Sequence, residues 1–140
     1  MLTRILVPID LAEPQMTKLA IDYAETLAKA FHSEIRLVNV QSLTPIKFLD
    51  YLPQDFDENI KRGLEGELAS VAAHLSLPPT HVTTALLFGP IYQTIIEEAE
   101  RWKSDLIVLC SHRPGMDRFL IGSNANAVTR HATCPVLIVR

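Results

Sequence analysis

Few residues in this sequence carry groups that chemistry could use, and most of them fall into three short segments. The first is Pro8-Ile9-Asp10, where a carboxylate follows the apolar run Ile5-Leu-Val. The second is Asn39-Val40-Gln41-Ser42. The third is Ser111-His112-Arg113-Pro114-Gly115, followed after six more residues by Gly122-Ser123-Asn124. Gly122-Ser123-Asn124 stands at the start of a helical pattern. Backbone N–H groups there have no intrahelical acceptor and carry partial positive charge, which suits a phosphate. Ser and Asn are also the ordinary N-cap residues of a helix that binds nothing. Asp10 has the same two readings: it accepts from a ribose or an adenine amine, or it caps the helix that starts a few residues on. Arg113 either neutralises phosphate with its forked donors or makes an intramolecular salt bridge.

Other chemistries lack their parts. His112 is a candidate general base, but no nucleophile and carboxylate stand at a matching spacing, so a structural loop histidine is the competing reading. G-x-S-x-G, G-x-x-x-x-G-K-[ST] and G-x-G-x-x-G are absent. Cys110 and Cys134 lie in or beside apolar stretches with no Cys-x-x-Cys, and the five histidines have no ligand spacing. Two buried thiols in a reducing cytoplasm account for them. No metal site is expected in the chain itself.

The elements that must position these groups follow from apolar patterning. Ile5–Ile9, Leu106–Cys110 and Val136–Val139 are nearly continuous apolar runs, as strands covered on both faces are. Glu34–Val40 and Val82–Phe88 are further strands, and Thr83 and Thr84 place the latter nearer an edge. Between them lie four helical stripes: Ala20, Tyr23, Ala24, Leu27, Phe31; Phe56, Ile60, Leu64, Leu68, Val71, Leu75; Ile91, Ile95, Ile96, Ala99, Trp102; and Ala125, Val128, Ala132. Pro78-Pro79 is expected to close the second helix. The order β-α-β-α-β-α-β-α-β argues one doubly wound, Rossmann-like α/β domain over residues 1–140, a parallel sheet with helices on both faces. Ligands of such a sheet bind beyond the carboxyl ends of its strands, where strand order reverses. The segment from Gln41 to Asp57, with Pro45 and Pro53, has no clear period and reads as a long loop.

Composition bounds the rest. The 140 residues are 48% hydrophobic and 21% charged, with net charge −3. That excludes a disordered chain and disfavours a nucleic-acid binder, which needs a basic excess. No apolar run approaches the roughly 20 residues of a membrane span, and no signal peptide is read at the N-terminus.

Arg4-Ile-Leu-Val-Pro-Ile-Asp10, Ser111-His112-Arg113-Pro114, Leu120-Ile-Gly-Ser-Asn-Ala125 and Cys134-Pro-Val-Leu-Ile-Val139 together resemble the universal stress protein family over essentially the whole chain. The segment Ser-His-Arg-Pro is similar to the bacterial F and G types. The resemblance implies a five-stranded parallel sheet in the order 3-2-1-4-5. It also implies an adenine-nucleotide site in which phosphates lie along Ser111 to Gly115 and Gly122 to Asn124, with adenine and ribose over Pro8, Ile9, Asp10 and Val40. The chain departs from the family's glycine-rich loop. Cys110 and Arg113 stand where its first two glycines fall, and eight residues separate Arg113 from Gly122, one fewer than usual. Gly115 can supply the permissive backbone.

These readings lead to a cytoplasmic stress-response sensor or regulator that binds ATP or another adenine nucleotide, with or without Mg. A nucleotide-independent homodimeric interaction module and a slow ATPase are the alternatives. No catalytic residue is assigned. The apolar last strand, Val136 to Arg140, is expected at a sheet edge, and the resemblance implies a homodimer built on it, with or without higher assembly.

Overall fold

The computed structural model describes residues 1–42, 56–111 and 122–140. Most of the segment from Gln41 to Asp57, together with His112, Arg113 and Gly115, therefore lies outside the described residues. The apolar runs and stripes alternate as β1 (Arg4–Pro8), α1 (Pro14–Phe31), β2 (Glu34–Gln41), α2 (Phe56–Ala73), a 3-10 turn (Pro79–His81), β3 (Val82–Phe88), α3 (Ile91–Trp102), β4 (Leu106–Cys110), α4 (Ser123–His131) and β5 (Val136–Val139). The five strands form one sheet in the order β3-β2-β1-β4-β5. Every pairing is parallel. The doubly wound α/β fold and its strand order are thus as expected.

Pro8 is tolerated in the central strand because of where it falls. Ile9 N donates to Val38 O at 2.8 Å, so the preceding position faces β4, and β4 pairs with β1 only at Ile5 and Leu6. The missing N–H of proline is therefore not needed there.

Alternate residues of the inner strands build two cores. Ile5, Val7, Ile35, Leu37 and Val108 face α1 and α2. Leu6, Val38, Ile107 and Leu109 face α3 and α4, with Trp102 and Val128. Each fully buried aliphatic side chain contributes roughly 1.5–3 kcal/mol.

Two helices differ from their sequence stripes. In α1 the buried residues are Thr17, Ala20, Ile21, Ala24 and Ala28, whereas Tyr23 and Phe31 are exposed. Alanine lets the helix lie close on the sheet, and the larger residues turn to its flank. α2 ends at Ala73, before Pro78-Pro79, because its last turn tightens: His74 N donates to Val71 O and Leu75 N to Ala72 O. Leu75 is still buried, but outside the helix.

Charge is concentrated at the amino end of the sheet. Glu98 of α3 is buried and holds Arg36 of β2 at 2.8 Å. Arg101 Nε donates to the same carboxylate at 3.0 Å. Arg36 also donates to Thr83 Oγ1 and stacks over Trp102, 4.7 Å from the ring centre. Arg4 lies 5.6 Å from that centre and donates to Trp102 O. Glu98→Ala leaves Arg36 partly buried without its carboxylate. It is expected to lower unfolding free energy by about 3 kcal/mol in urea titrations. Arg101→Ala, at a side chain 67% exposed, is expected to cost less than about 1 kcal/mol.

Asp105 fastens β4 to β1 by accepting Thr3 Oγ1 at 2.6 Å, Thr3 N at 2.8 Å and Arg4 N at 2.9 Å. The Thr3 hydroxyl bond is the largest influence and holds the carboxyl below its ordinary 3.8; partial burial opposes it, and the two backbone donors add to the lowering. A depressed carboxyl stabilises the fold above its unfolded value and loses that contribution as pH falls through the folded value. Urea midpoints against pH are therefore expected to show an advantage of wild type over Asp105→Asn at neutral pH that shrinks below about pH 4.

Candidate functional site

The carboxyl ends of β1, β2 and β4 surround a cleft of about 670 Å³. That size suits a small-molecule site. Its lining brings together Pro8, Ile9 and Asp10 from β1, Val38 to Ser42 from β2, Cys110 and Ser111 from β4, and Gly122 to Ala125 from α4. Three separate sequence segments thus meet at one opening, beside the point where the order turns from β2-β1 to β1-β4.

Each wall has a local cause. Asp10 Oδ1 accepts Ala12 N at 2.9 Å, and its carbonyl accepts Glu13 N at 3.1 Å and Thr17 Oγ1 at 2.8 Å. Asp10 therefore shapes the turn into α1 rather than serving as its N-cap, which is Glu13. Asp10 is exposed and lines the cleft. Buried Asn39 donates to Ile9 O at 2.9 Å and accepts Gln41 Nε2 at 2.5 Å. It bolts the end of β1 to β2 beneath Val40, which packs half-buried against the α3 side of the core.

The opposite wall is the start of α4. Its N-cap is Gly122, not Ser123 or Asn124, and no side chain caps it. The ordinary Ser or Asn cap allowed by the sequence is therefore not what the helix uses. Ser123, Asn124 and Ala125 occupy the first turn beside the cleft, where helical N–H groups lack intrahelical acceptors. Gly122 N donates to Ser111 O at 2.6 Å. Its φ of −56° is open to any residue. The reason for glycine is space: a Cβ would lie 3.0 Å from Ser111 O.

Sequence patterning missed several lining groups. Thr17 and Met16 project from the first turns of α1, and Ile91 and Ile95 from α3. Buried Thr17 and Asn39 are polar signals inside apolar patterns, which only a tertiary partner explains. Elsewhere, burial pushes the half-buried Cys134 thiol above its ordinary value. That favours the unreactive thiol. Among the described residues no group of three or more His, Cys, Asp or Glu could hold a metal ion, and no helix is long and apolar enough to cross a membrane.

The profile of the universal stress protein family matches residues 1–140. The chain belongs to this family. Universal stress protein G of Salmonella typhimurium is 33% identical over 139 residues, covering 97% of both chains. That places the resemblance on the G-type branch. Two solved structures share the fold. A universal stress protein in complex with cAMP is 22% identical with a TM-score of 0.70, covering 99% of this chain and 97% of the other. The universal stress protein of Archaeoglobus fulgidus in complex with dAMP is 18% identical with a TM-score of 0.66, and the match covers 100% of each chain.

The close approach of Gly122 to Ser111 generates a stability prediction. Gly122→Ala is expected to lower unfolding free energy by about 1 kcal/mol and Gly122→Val by more, up to about 3 kcal/mol, from crowding against the Ser111 carbonyl. Thermal and urea unfolding of the two variants check it.

Proposed function

We propose that this universal stress protein binds ATP or a related adenine nucleotide in the cleft and acts as a cytoplasmic stress-response sensor or regulator. The observation that carries the reading is the start of α4. An uncapped helix N-terminus opens on a cleft that is apolar on the Val38, Val40 and Leu109 side. A base needs the apolar wall, and a phosphate needs the N–H groups and positive end of the dipole. Two universal stress proteins of the same fold hold cAMP and dAMP, both adenine nucleotides.

In this reading Gly122, Ser123 and Asn124 take phosphate. Pro8, Ile9, Asp10 and Val40 take ribose and adenine, and Ser111 joins the two parts. His112, Arg113 and Gly115, outside the described residues, belong to the same phosphate side on the sequence pattern alone. Asp10 and Glu13 are the described carboxylates of the cleft available to a Mg that accompanies the phosphates. The partner assigned to the protein is a second copy, paired antiparallel through β5. This strand is at the sheet edge, has no proline, and keeps Val136, Leu137 and Ile138 only half-buried.

Titration calorimetry of ATP and adenosine on Asn124→Asp separates a phosphate site from an ordinary helix start. A carboxylate in the first turn favours the helix, so folding is kept or improved. It repels phosphate, so ATP is expected to weaken about tenfold, about 1.4 kcal/mol, while adenosine changes little. Equal affinities of wild type and variant for ATP, or no heat with ATP at millimolar concentration, overturn the proposal and leave the nucleotide-independent interaction module.

A further inference from the structure

Two side-chain amides stand at the carboxyl end of β2, and the fold fixes which way each is turned. Ile35 and Leu37 of β2 face α1 and α2. Side chains alternate along a strand, so Asn39 and Gln41 continue that row beyond the apolar core. Asn39 is buried, Gln41 is half-buried, and both line the cleft. Asn39 Nδ2 donates to Ile9 O at 2.9 Å, and Gln41 Nε2 donates to Asn39 Oδ1. A backbone carbonyl only accepts. Asn39 must therefore show it nitrogen and turn its oxygen to Gln41, and Gln41 must answer with nitrogen in turn. The relay ends at Gln41 Oε1, which accepts no hydrogen bond from the described residues. That oxygen is not buried: among the described residues, the buried side-chain polar atom without a partner is Ser104 Oγ. The cleft is thus offered an acceptor whose orientation is set by Ile9 O, two amides away.

The backbone of β2 opens at the same place. Ile9 N donates to Val38 O on the β1 side, and Gly89 N donates to Gln41 O on the β3 side. Backbone groups along a strand point alternately to its two neighbours. Val40 therefore turns its N–H and C=O toward β1, whose pairing with β2 has already ended at Val38. These groups open on the cleft one residue from Gln41.

We propose that this amide pair selects a 6-amino purine over a 6-oxo purine: Gln41 Oε1 accepts from the exocyclic amine, and Asn39 keeps the Gln41 amide from turning over. The inference rests on the nucleotide site put forward above, with the base at Val40, and adds what chooses the base. Adenine carries a donor at C6. Hypoxanthine and guanine carry a carbonyl oxygen there, which in the same pose meets Oε1 acceptor to acceptor. An unconstrained glutamine would rotate its amide and donate instead. Here that rotation sets Gln41 Oε1 against Asn39 Oδ1, and rotating Asn39 as well sets its oxygen against Ile9 O. Either rotation leaves two acceptors facing each other in a partly buried place, which costs the wrong base affinity without adding a contact to the right one. Asn39 is in this sense a positioning residue, acting through Gln41.

Titration calorimetry of ATP and of inosine triphosphate, its hypoxanthine counterpart, tests this on the full chain, with circular dichroism to check folding. On wild type the inosine nucleotide is expected to bind about thirtyfold more weakly than ATP. Gln41→Met keeps the length of the side chain and removes its amide, so the gap is expected to narrow to about threefold. Asn39→Leu releases Gln41 to turn, and is expected to narrow the gap to a similar extent. A role of Asn39 in the fold alone would weaken both ligands together and leave the gap as it is. ATP that binds wild type with no advantage over the inosine nucleotide, or a gap that survives in folded Gln41→Met, overturns the inference while the nucleotide site stands. A gap narrowed in Gln41→Met but kept in folded Asn39→Leu overturns the locking by Asn39. No heat with either nucleotide at millimolar concentration overturns the nucleotide site and this inference with it.

Discussion

β1 has a strand on each side and a helix pair on each face, and the burial of Ile5, Leu6 and Val7 without measurable exposure is the constraint on which the rest depends. A strand so enclosed cannot shift register, because a one-residue slip would exchange the side chains of its two faces. β2 pairs with it from Arg4 to Pro8, but β4 pairs only from Ile5 to Leu6. Past that point β1 and β4 separate, and the cleft occupies the space between them. The site is therefore a consequence of central-strand packing, and Asn39 keeps its other wall closed by holding Ile9 to β2.

The two ends of the sheet divide the electrostatic work. The amino end carries full charges in satisfied sets: Glu98 with the Arg36 and Arg101 guanidiniums, and Asp105 with the Thr3 hydroxyl and the Thr3 and Arg4 backbone N–H groups. Buried or half-buried charge of this kind is tolerated only when paired, and pairing leaves little for a ligand. Among the described residues, the carboxyl end carries backbone dipoles and the carboxylates Asp10 and Glu13. The second cleft, at the amino end, is lined by Arg4, Glu34, Lys103 and Asp105 of both signs. It has none of the single-signed character that collects a phosphate.

Much of this was legible in the sequence, for identifiable reasons. Strand runs such as Leu106–Cys110 are read directly, because a strand buried on both faces must be apolar throughout. The segments carrying Asp10, Val40, Ser111 and Gly122 follow from strand ends and are brought together as expected. The failures come from choices that only packing makes. In α1 an aromatic stripe and an alanine stripe compete, and the sheet takes the alanines because they permit closer approach. At α4 both Ser123 and Asn124 have better cap propensity than Gly122, yet Gly122 is the cap, at a place where a Cβ would crowd Ser111 O at 3.0 Å. Asn39 reads as a polar interruption in a strand until its partner Ile9 O, thirty residues away in sequence, is in place.

Ser111 joins the cleft to the sheet edge. Its N–H donates to Val139 O at 3.1 Å, and its carbonyl accepts Gly122 N at 2.6 Å. One residue therefore ties the last residue of β5 to the cap of α4. Cooperative hydrogen-bonded groups polarise one another, so the α4 amide and the β5 carbonyl share the geometry of the Ser111 backbone. Gly122 is packed against that carbonyl, where a Cβ would be crowded at 3.0 Å, so a tilt of α4 moves Ser111 with it. The edge strand is only four residues long and holds to the sheet through β4 alone, so the Ser111 bond is a large share of what fixes its end. The glycine favoured by this contact is the same glycine that leaves the start of α4 without a side-chain cap. A tight junction between helix and sheet and a helix start without a side-chain cap beside the cleft thus have a single cause.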